Sequence, residues 1–156
     1  MKILFLCSSH FLDDDRVTRK QAASLATHGH DLTVCARCRF DYEEPSVKLV
    51  DIDEIRDSDR AYEKGKGKKT RLERLTCLAA LNKYVRKVTP DLVVAHELET
   101  AMLAMWIRLR QGIPFIFDVH ECYQETVRDA APPGLKWFAK RFTVWCLKRI
   151  AKRAKA

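Results

Sequence analysis

The chain has 156 residues, of which 47% are apolar and 32% charged, and its formal net charge is +8. This length fits one domain with a proper core, and the composition indicates a globular chain rather than a disordered or membrane-spanning one. No run approaches the roughly 18 apolar residues of a membrane-spanning helix, and the start of the chain lacks the features of a signal peptide. Six scattered cysteines indicate reduced thiols in the cytoplasm.

The positive charge is concentrated at one end of the sequence. Residues 134–156 contain eight lysines and arginines and no acid, whereas the 21 basic and 21 acidic residues before them cancel. Cys35 and Cys38 form a C-x-x-C at the end of a predicted strand, with no second pair after it. That position favours neither a redox nor a metal role for the two thiols.

The first half of the chain alternates strands and helices. A strand is predicted over residues 2–7, and Asp13, Asp14 and Asp15 offer N-cap oxygens to a helix that Gly29 ends. Strands follow over 32–35 and 47–52. The polar stretch 53–70 ends in a basic segment, residues 64–71, which is predicted to be a flexible loop that could touch nucleic acid or an anionic membrane surface.

The second half continues the same alternation. We predict a helix from residue 72 to Pro90, a strand over 91–95, a helix over 99–111 closed by Gly112, and a strand over 115–117 buried on both faces. Residues 132–134 then break the chain before a last basic helix. The pattern predicts a Rossmann-like α/β fold, a doubly wound parallel sheet with helices on both faces.

Polar side chains cluster where the fourth and fifth strands end. His96 and Glu97 follow the fourth strand, and the fifth is followed by Asp118, His120, Glu121 and Tyr123. Ligands bind at this carboxyl edge in open α/β sheets, and a histidine there can serve as a base or a hydrogen-bond donor. The alternative is that each His-Glu pair only caps a helix and fixes a loop.

Two other kinds of ligand are weighed and not favoured. A metal site from His96, His120, Asp118 and Glu121 suits the ligand types, but no ligand spacing supports it. The first loop, residues 7–13, lacks the G-x-G-x-x-G of a dinucleotide site, so a standard NAD-binding role is not predicted. Arg16 is expected to face the crevice.

The last helix suggests a surface partner. Leu135, Phe138, Phe142, Trp145 and Ile150 are predicted to share one face, with lysines and arginines elsewhere. Aromatic and basic side chains together favour an anionic membrane surface, contacted through residues 135–155. An ordinary packed helix with a basic solvent face is the other interpretation. No nucleic-acid-binding module is recognised, so no specific nucleic-acid partner is predicted.

Three blocks of sequence resemble a known family. Residues 13–34 (DDDRVTRKQAASLATHGHDLTV), 90–97 (PDLVVAHE) and 114–125 (PFIFDVHECYQE) are similar, in the same order, to the N-terminal half of GT-B glycosyltransferases, above all the retaining family 4. The resemblance implies a Rossmann-like domain that binds the acceptor. It also implies a nucleotide-sugar as co-substrate, without another cofactor, and transfer with retention to a glycan or lipid-linked acceptor.

The resemblance also implies roles for particular residues. His120 would lie near the transferred sugar, Asp118, Glu121 and Tyr123 would form the same wall, and Arg16 and His96, with Glu97 beside it, would line the acceptor side. Residues 1–156 are then one domain, and the donor-binding C-terminal domain is absent from this chain, which alone is expected to be inactive. The protein is expected in the cytoplasm or on the inner membrane face.

Two alternatives stay open beside the transferase. The first is a binding module without chemistry, or one chain of a split transferase, recruited to a membrane. The second is a small hydrolase that uses the His, Asp and Glu loops, although no nucleophile motif supports it.

Overall fold

The computed structural model describes residues 1–39, 41–56, 71–120 and 122–154, with only the backbone for residues 56 and 71–74. The strands in this part of the chain are β1 (Lys2–Phe11), β2 (Asp31–Arg37), β3 (Lys48–Asp51), β4 (Leu92–Ala95) and β5 (Phe115–Phe117). A π-helical segment (Asp15–Ala22) continues into α1 (Ala23–Thr27). The other helices are α2 (Ile52–Arg56), α3 (Arg71–Val88), α4 (Leu98–Gln111), α5 (Tyr123–Ala130), a 3₁₀ turn (Pro133–Leu135) and α6 (Lys136–Ala151).

The five strands form one sheet in the order β3-β2-β1-β4-β5. Each neighbouring pair is parallel, with Leu4 opposite Thr33 on one side and Val93 on the other. The strands β2 and β3 therefore extend the sheet on one side of β1, and β4 and β5 extend it on the other side. The predicted Rossmann-like, doubly wound parallel sheet is confirmed, and its switch point lies between β1 and β4.

Alternation along β1 divides the core between the two faces of the sheet. Leu4 and Leu6 pack with residues of α2, α3, α4 and α6, whereas Phe5 and Cys7 pack on the other face with Val17 of the π-helical segment. Such a strand, buried on both faces, is a near-continuous apolar run because both sides of the pleat meet helices. This burial anchors β1, whose carboxyl end carries the crevice.

Helix boundaries follow the capping residues that the sequence offers. Asp14 is the N-cap of the π-helical segment, and its Oδ1 accepts a hydrogen bond of 2.8 Å from the backbone N–H of Val17. Gly29 and Gly112 have φ angles of 82° and 74°, in the left-handed region that a side chain makes costly. The predicted helix start and both glycine stops are confirmed.

Two burial predictions are wrong. Strand β5 is not buried on both faces, because it is the edge strand and Ile116 is 40% exposed. Ile150 does not share the aromatic face of α6, since it is 1% exposed and packs in the core while Trp145 is exposed. Five residues at 100° each place Ile150 about 140° around the helix from Trp145.

Two further sequence predictions concern the middle of the chain. The polar stretch 53–70 opens within α2, a helix that the sequence did not predict. The predicted basic loop at 64–71 lies outside the described residues apart from its last position, which begins α3. In the part of the chain that the structure describes, no helix is long and apolar enough to cross a membrane.

Candidate functional site

Three histidines meet at the switch point of the sheet. His10 lies near the end of β1, His96 directly follows β4, and His120 follows β5. Because these strands are neighbours and parallel, their carboxyl ends open onto one crevice. The ring centroid of His10 lies 5.1 Å from that of His120 and 6.4 Å from that of His96. The predicted meeting of the loops after the fourth and fifth strands is confirmed, with the end of β1 as a third contributor.

His10 and His120 form a direct ring-to-ring hydrogen bond. Their Nε2 atoms are 3.2 Å apart, at the exposed mouth of the crevice. The outer nitrogens also have partners: His10 Nδ1 is 2.9 Å from Asp14 Oδ2, and His120 Nδ1 is 3.1 Å from the carbonyl oxygen of Asp118. We call these two rings the imidazole pair.

The partners of the imidazole pair orient both rings. Burial alone would raise the pKa of Asp14, but hydrogen bonds from Val17 and His10 outweigh it and hold the pKa below the ordinary value. Asp14 is therefore a carboxylate that only accepts, as does the carbonyl of Asp118, so each Nδ1 atom faces an acceptor. The two Nε2 atoms are thereby held facing each other at the mouth of the crevice.

Asp118 and Arg16 form an ion pair beside the imidazole pair. Arg16 Nη1 lies 2.5 Å from Asp118 Oδ2, and Gln21 Nε2 donates to the same oxygen at 3.1 Å. Burial would raise the pKa of Asp118, but the hydrogen bonds from Gln21 and Arg16 and the guanidinium charge outweigh it and lower the pKa. The predicted placement of Arg16 at the crevice agrees with this geometry. The ion pair also holds Asp118 in place, and its carbonyl oxygen is the partner of His120 Nδ1.

His96 lies under the site. The sequence placed it on the acceptor side, yet its side chain is fully buried, against the ring of Phe5 at 5.0 Å. Its Nδ1 is 3.2 Å from Asp118 Oδ2, but the alignment makes no hydrogen bond. Burial lowers the pKa of His96 to about 4, with Asp118 opposing this shift. In this conformation His96 is a neutral, buried ring that lies beneath Asp118 in the crevice.

The carboxylate of Glu97 is hydrogen-bonded to the backbone. Its carboxylate accepts hydrogen bonds from the backbone N–H groups of Ser8, Ser9 and His10, at 2.9, 3.0 and 3.3 Å. It is also the N-cap of α4, in a capping box with Thr100. The prediction that Glu97 binds substrate stays a prediction; in the structure the residue is 6% exposed and its carboxylate is hydrogen-bonded to the backbone. The alternative, that it caps a helix and fixes a loop, is what the structure shows.

Tyr123 and Glu121 complete the predicted set. Tyr123 is buried, stacks on Phe117 at 5.7 Å, and donates a 2.9 Å hydrogen bond to the carbonyl oxygen of His96. It forms the wall behind the pair, as expected, but its hydroxyl is occupied by the backbone. Glu121 lies outside the described residues. Among the residues that are described, no group of three or more His, Cys, Asp and Glu could hold a metal ion.

His10 is the functional candidate that sequence reasoning missed. The sequence prediction for the first loop rested on its lack of glycines that would let a phosphate approach, and it did not include His10. Like His96, however, His10 lies near the carboxyl end of a central strand. The sequence signal was present in the SSH triplet at residues 8–10.

Comparison with known proteins bears on this crevice. Residues 15–156 match the family model of the glycosyl transferase 4-like domain, which covers the chain from the π-helical segment onward. No curated protein matches the chain. The match includes His96, Asp118 and His120 and leaves β1 with His10 outside it.

Proposed function

The chain belongs to the glycosyl transferase 4-like family, and from that membership we propose that its crevice is the acceptor side of a retaining transfer site. A nucleotide-sugar would be the donor, and a glycan or a lipid-linked sugar the acceptor. The observation that carries the proposal is the imidazole pair, exposed at the switch point of the sheet. Sugar transfer needs groups that orient hydroxyls, and the pair is suited to that task.

A hydroxyl group can replace the hydrogen bond between the two rings, because it both donates and accepts. As the rings separate, it would accept a hydrogen bond from the Nε2–H of His10 and donate its own hydrogen to Nε2 of His120. Since His120 is exposed and His10 is 22% exposed, a ligand can reach both Nε2 atoms. His120 would thereby contact the transferred sugar, and Asp14 would hold His10 in the donating state.

The proposed transfer balances without a redox or metal group. A bond forms between the acceptor oxygen and the anomeric carbon, and the bond from that carbon to the phosphate oxygen of the donor breaks. The nucleoside diphosphate leaves with the bonding electrons, and the proton of the acceptor hydroxyl passes to an oxygen of the departing phosphate group. Arg16 and Asp118 would position the acceptor and the carbonyl that orients His120.

We propose that the donor is bound mainly by a second domain and that residues 1–156 alone are inactive. The test therefore uses the protein as its locus encodes it. Release of nucleoside diphosphate is measured from UDP- and GDP-sugars with a panel of sugar and lipid-linked acceptors. The anomeric configuration of the product, read by NMR, tests retention: an inverted product contradicts that part of the proposal.

Substitution of His120 tests the role of the site. His120→Ala should lower kcat/KM by about a hundredfold or more, the range of a positioned acid–base or hydrogen-bonding group. His10→Ala should be nearly as damaging, and His10→Gln should retain more activity, because its amide can still donate to His120. His28→Ala is the control, since the ring of His28 lies at the end of α1, where its Nδ1 is 2.8 Å from the carbonyl oxygen of Ser24. Equal rates for His120→Ala and His28→Ala would refute the proposal.

A further inference from the structure

The last helix exposes an unusual number of large apolar side chains. Trp137, Phe138, Phe142 and Trp145 are 62%, 63%, 58% and 53% exposed, and Leu135 before them is 55% exposed. We call these five residues, with the cations between them, the aromatic–basic face. Single exposed apolar residues are ordinary, but a contiguous group of this size marks an interaction site.

The aromatic–basic face does not hold the fold together. The opposite side of α6 does so through Thr143, Cys146 and Ile150, which are at most 3% exposed. Ile150 belongs to the same core cluster as Ile107 of α4. The exposed aromatic side chains are therefore free to serve a partner, and the helix is already anchored without one.

Cations are interleaved with the indole rings. The guanidinium of Arg141 lies 4.9 Å from the ring centroid of Trp137, and that of Arg149 lies 5.0 Å from the centroid of Trp145. Residues 134–156 contain no acid. Across the described residues, the ion pair that reaches this helix from outside joins Glu125 to Lys140 at 2.8 Å. The remaining positive charge is exposed beside the aromatic rings.

A basic cavity adjoins the aromatic–basic face. It has a volume of about 670 Å³ and lies where the ends of α4 and α6 meet, and its lining residues are Arg108, Leu109, Gly112, Arg149, Lys152 and Arg153. Four of the six carry a positive charge and none is acidic. Because Arg149 lines the cavity and also lies 5.0 Å from the ring centroid of Trp145, an anionic group in the cavity would lie next to an exposed indole ring.

We propose that the aromatic–basic face docks the domain on an anionic lipid bilayer, with a lipid phosphate group in the basic cavity. Indoles and arginines at one surface match the headgroup zone, where an amphipathic ring meets both water and acyl chains. A nucleic-acid duplex would satisfy the cations but would leave four large exposed rings without an apolar environment. The bilayer satisfies both halves of the surface.

The test is sedimentation of the purified chain with vesicles of phosphatidylcholine, with and without phosphatidylglycerol. The chain should bind the anionic vesicles and bind neutral ones weakly. Raising the salt from about 0.1 M to about 1 M should release it, because the screening length falls from about 10 Å to about 3 Å. No binding to vesicles of either composition would overturn the proposal, as would a stable dimer that masks the face.

Charge substitutions localise the binding. Arg149→Gln together with Arg153→Gln should weaken binding to anionic vesicles by about 25-fold, at about fivefold for each cation near the surface. Lys83→Gln together with Lys87→Gln on α3 removes the same charge from exposed positions elsewhere and should change binding little. An equal effect of the two double variants would mean attraction by net charge alone and would overturn the docking site.

The three tryptophans provide a readout of depth. Trp106 is a matched control, because it is also exposed beside two arginines but lies on α4. With Trp106→Phe, the emission of Trp137 and Trp145 should shift to the blue on anionic vesicles and be quenched by brominated lipid. With Trp137→Phe and Trp145→Phe, the remaining Trp106 should show neither effect. All these positions are exposed, so circular dichroism should show unchanged folding; a Trp106 response equal to that of α6 would refute the orientation.

Discussion

Replacing Glu97 by alanine removes the acceptor that holds the end of β1. The two shortest bonds, to the N–H groups of Ser8 and Ser9 at 2.9 and 3.0 Å, each involve an ionised carboxylate. Bonds to charged groups contribute about 1.5–3 kcal/mol each, less where water competes, as it does at Ser9. Loss of the α4 N-cap adds about 1 kcal/mol. Together these terms predict a fall in the free energy of unfolding of about 3–5 kcal/mol.

The free energy of unfolding is measured by urea denaturation at neutral pH, with fluorescence and circular dichroism as parallel probes. In a domain of this size, about 1 kcal/mol lowers Tm by about 3 °C, so a fall of roughly 10–15 °C should accompany the change. Glu99→Gln is the matched control. Glu99 accepts one 3.0 Å bond from the hydroxyl of Ser8 and leaves the backbone donors untouched, so its loss should cost about 1 kcal/mol or less.

The result decides whether Glu97 is structural or substrate-binding. A structural carboxylate predicts a large loss of stability and, in the intact enzyme, a loss of activity that follows the folded fraction. If Glu97→Ala unfolds with the same midpoint and slope as Glu99→Gln while acceptor KM rises, the hydrogen bonds to Ser8, Ser9 and His10 contribute little, and the reasoning is refuted.

Two further predictions concern titration of the site. The pKa of His96 is about 4 when folded and 6.5 in a model peptide, so its contribution to stability is complete above pH 6.5 and is lost as the pH falls toward 4. Relative to His96→Phe, the wild type should therefore lose unfolding free energy in that window at up to about 1.4 kcal/mol per pH unit; parallel pH curves would contradict a neutral buried ring. The pKa of Asp118 is lowered from 3.8, so its contribution is present above that value and lost below it. Asp118→Asn should flatten the acid limb of the stability curve below about pH 4, and an unchanged limb would show that the Arg16 ion pair adds nothing.

The architecture was predictable because its signals are local and repeated. Apolar runs alternate with amphipathic segments, Asp14 and Gly112 mark helix ends, and short links force parallel strands with crossovers. The sequence did not indicate which strand would be the outermost one in the sheet. Phe115, Ile116 and Phe117 form an apolar run like those of central strands, and the exposure of Ile116 depends on what covers its face of the sheet.

The sequence indicated part of the geometry of the site, and the differences between the predicted and the observed geometry share one physical cause. Residue type and strand position indicate which side chains reach the crevice, so His120, Asp118 and Arg16 were found. They do not indicate which polar groups are already hydrogen-bonded to other parts of the chain. Glu97 and the hydroxyl of Tyr123 satisfy backbone groups that only the folded chain brings near them. His10 was missed because the first loop was judged on its glycines alone.

The position of Glu97 also explains what kind of ligand this edge can take. In dinucleotide-binding folds the backbone N–H groups after the first strand bind a phosphate. Here the N–H groups of Ser8, Ser9 and His10, in the last part of β1, are already bound to a carboxylate of the chain itself. The internal anion makes a phosphate bound to these N–H groups electrostatically unfavourable.

Charge balance in the crevice leads to the same conclusion. The charged side chains placed around the crevice are one arginine, Arg16, and three carboxylates, Asp14, Glu97 and Asp118. An excess of carboxylates favours neutral hydroxyls over a further anion bound among them. The excess cations lie elsewhere, on α6 and in the basic cavity. The domain thus separates a crevice lined by carboxylates and imidazoles from a cationic surface.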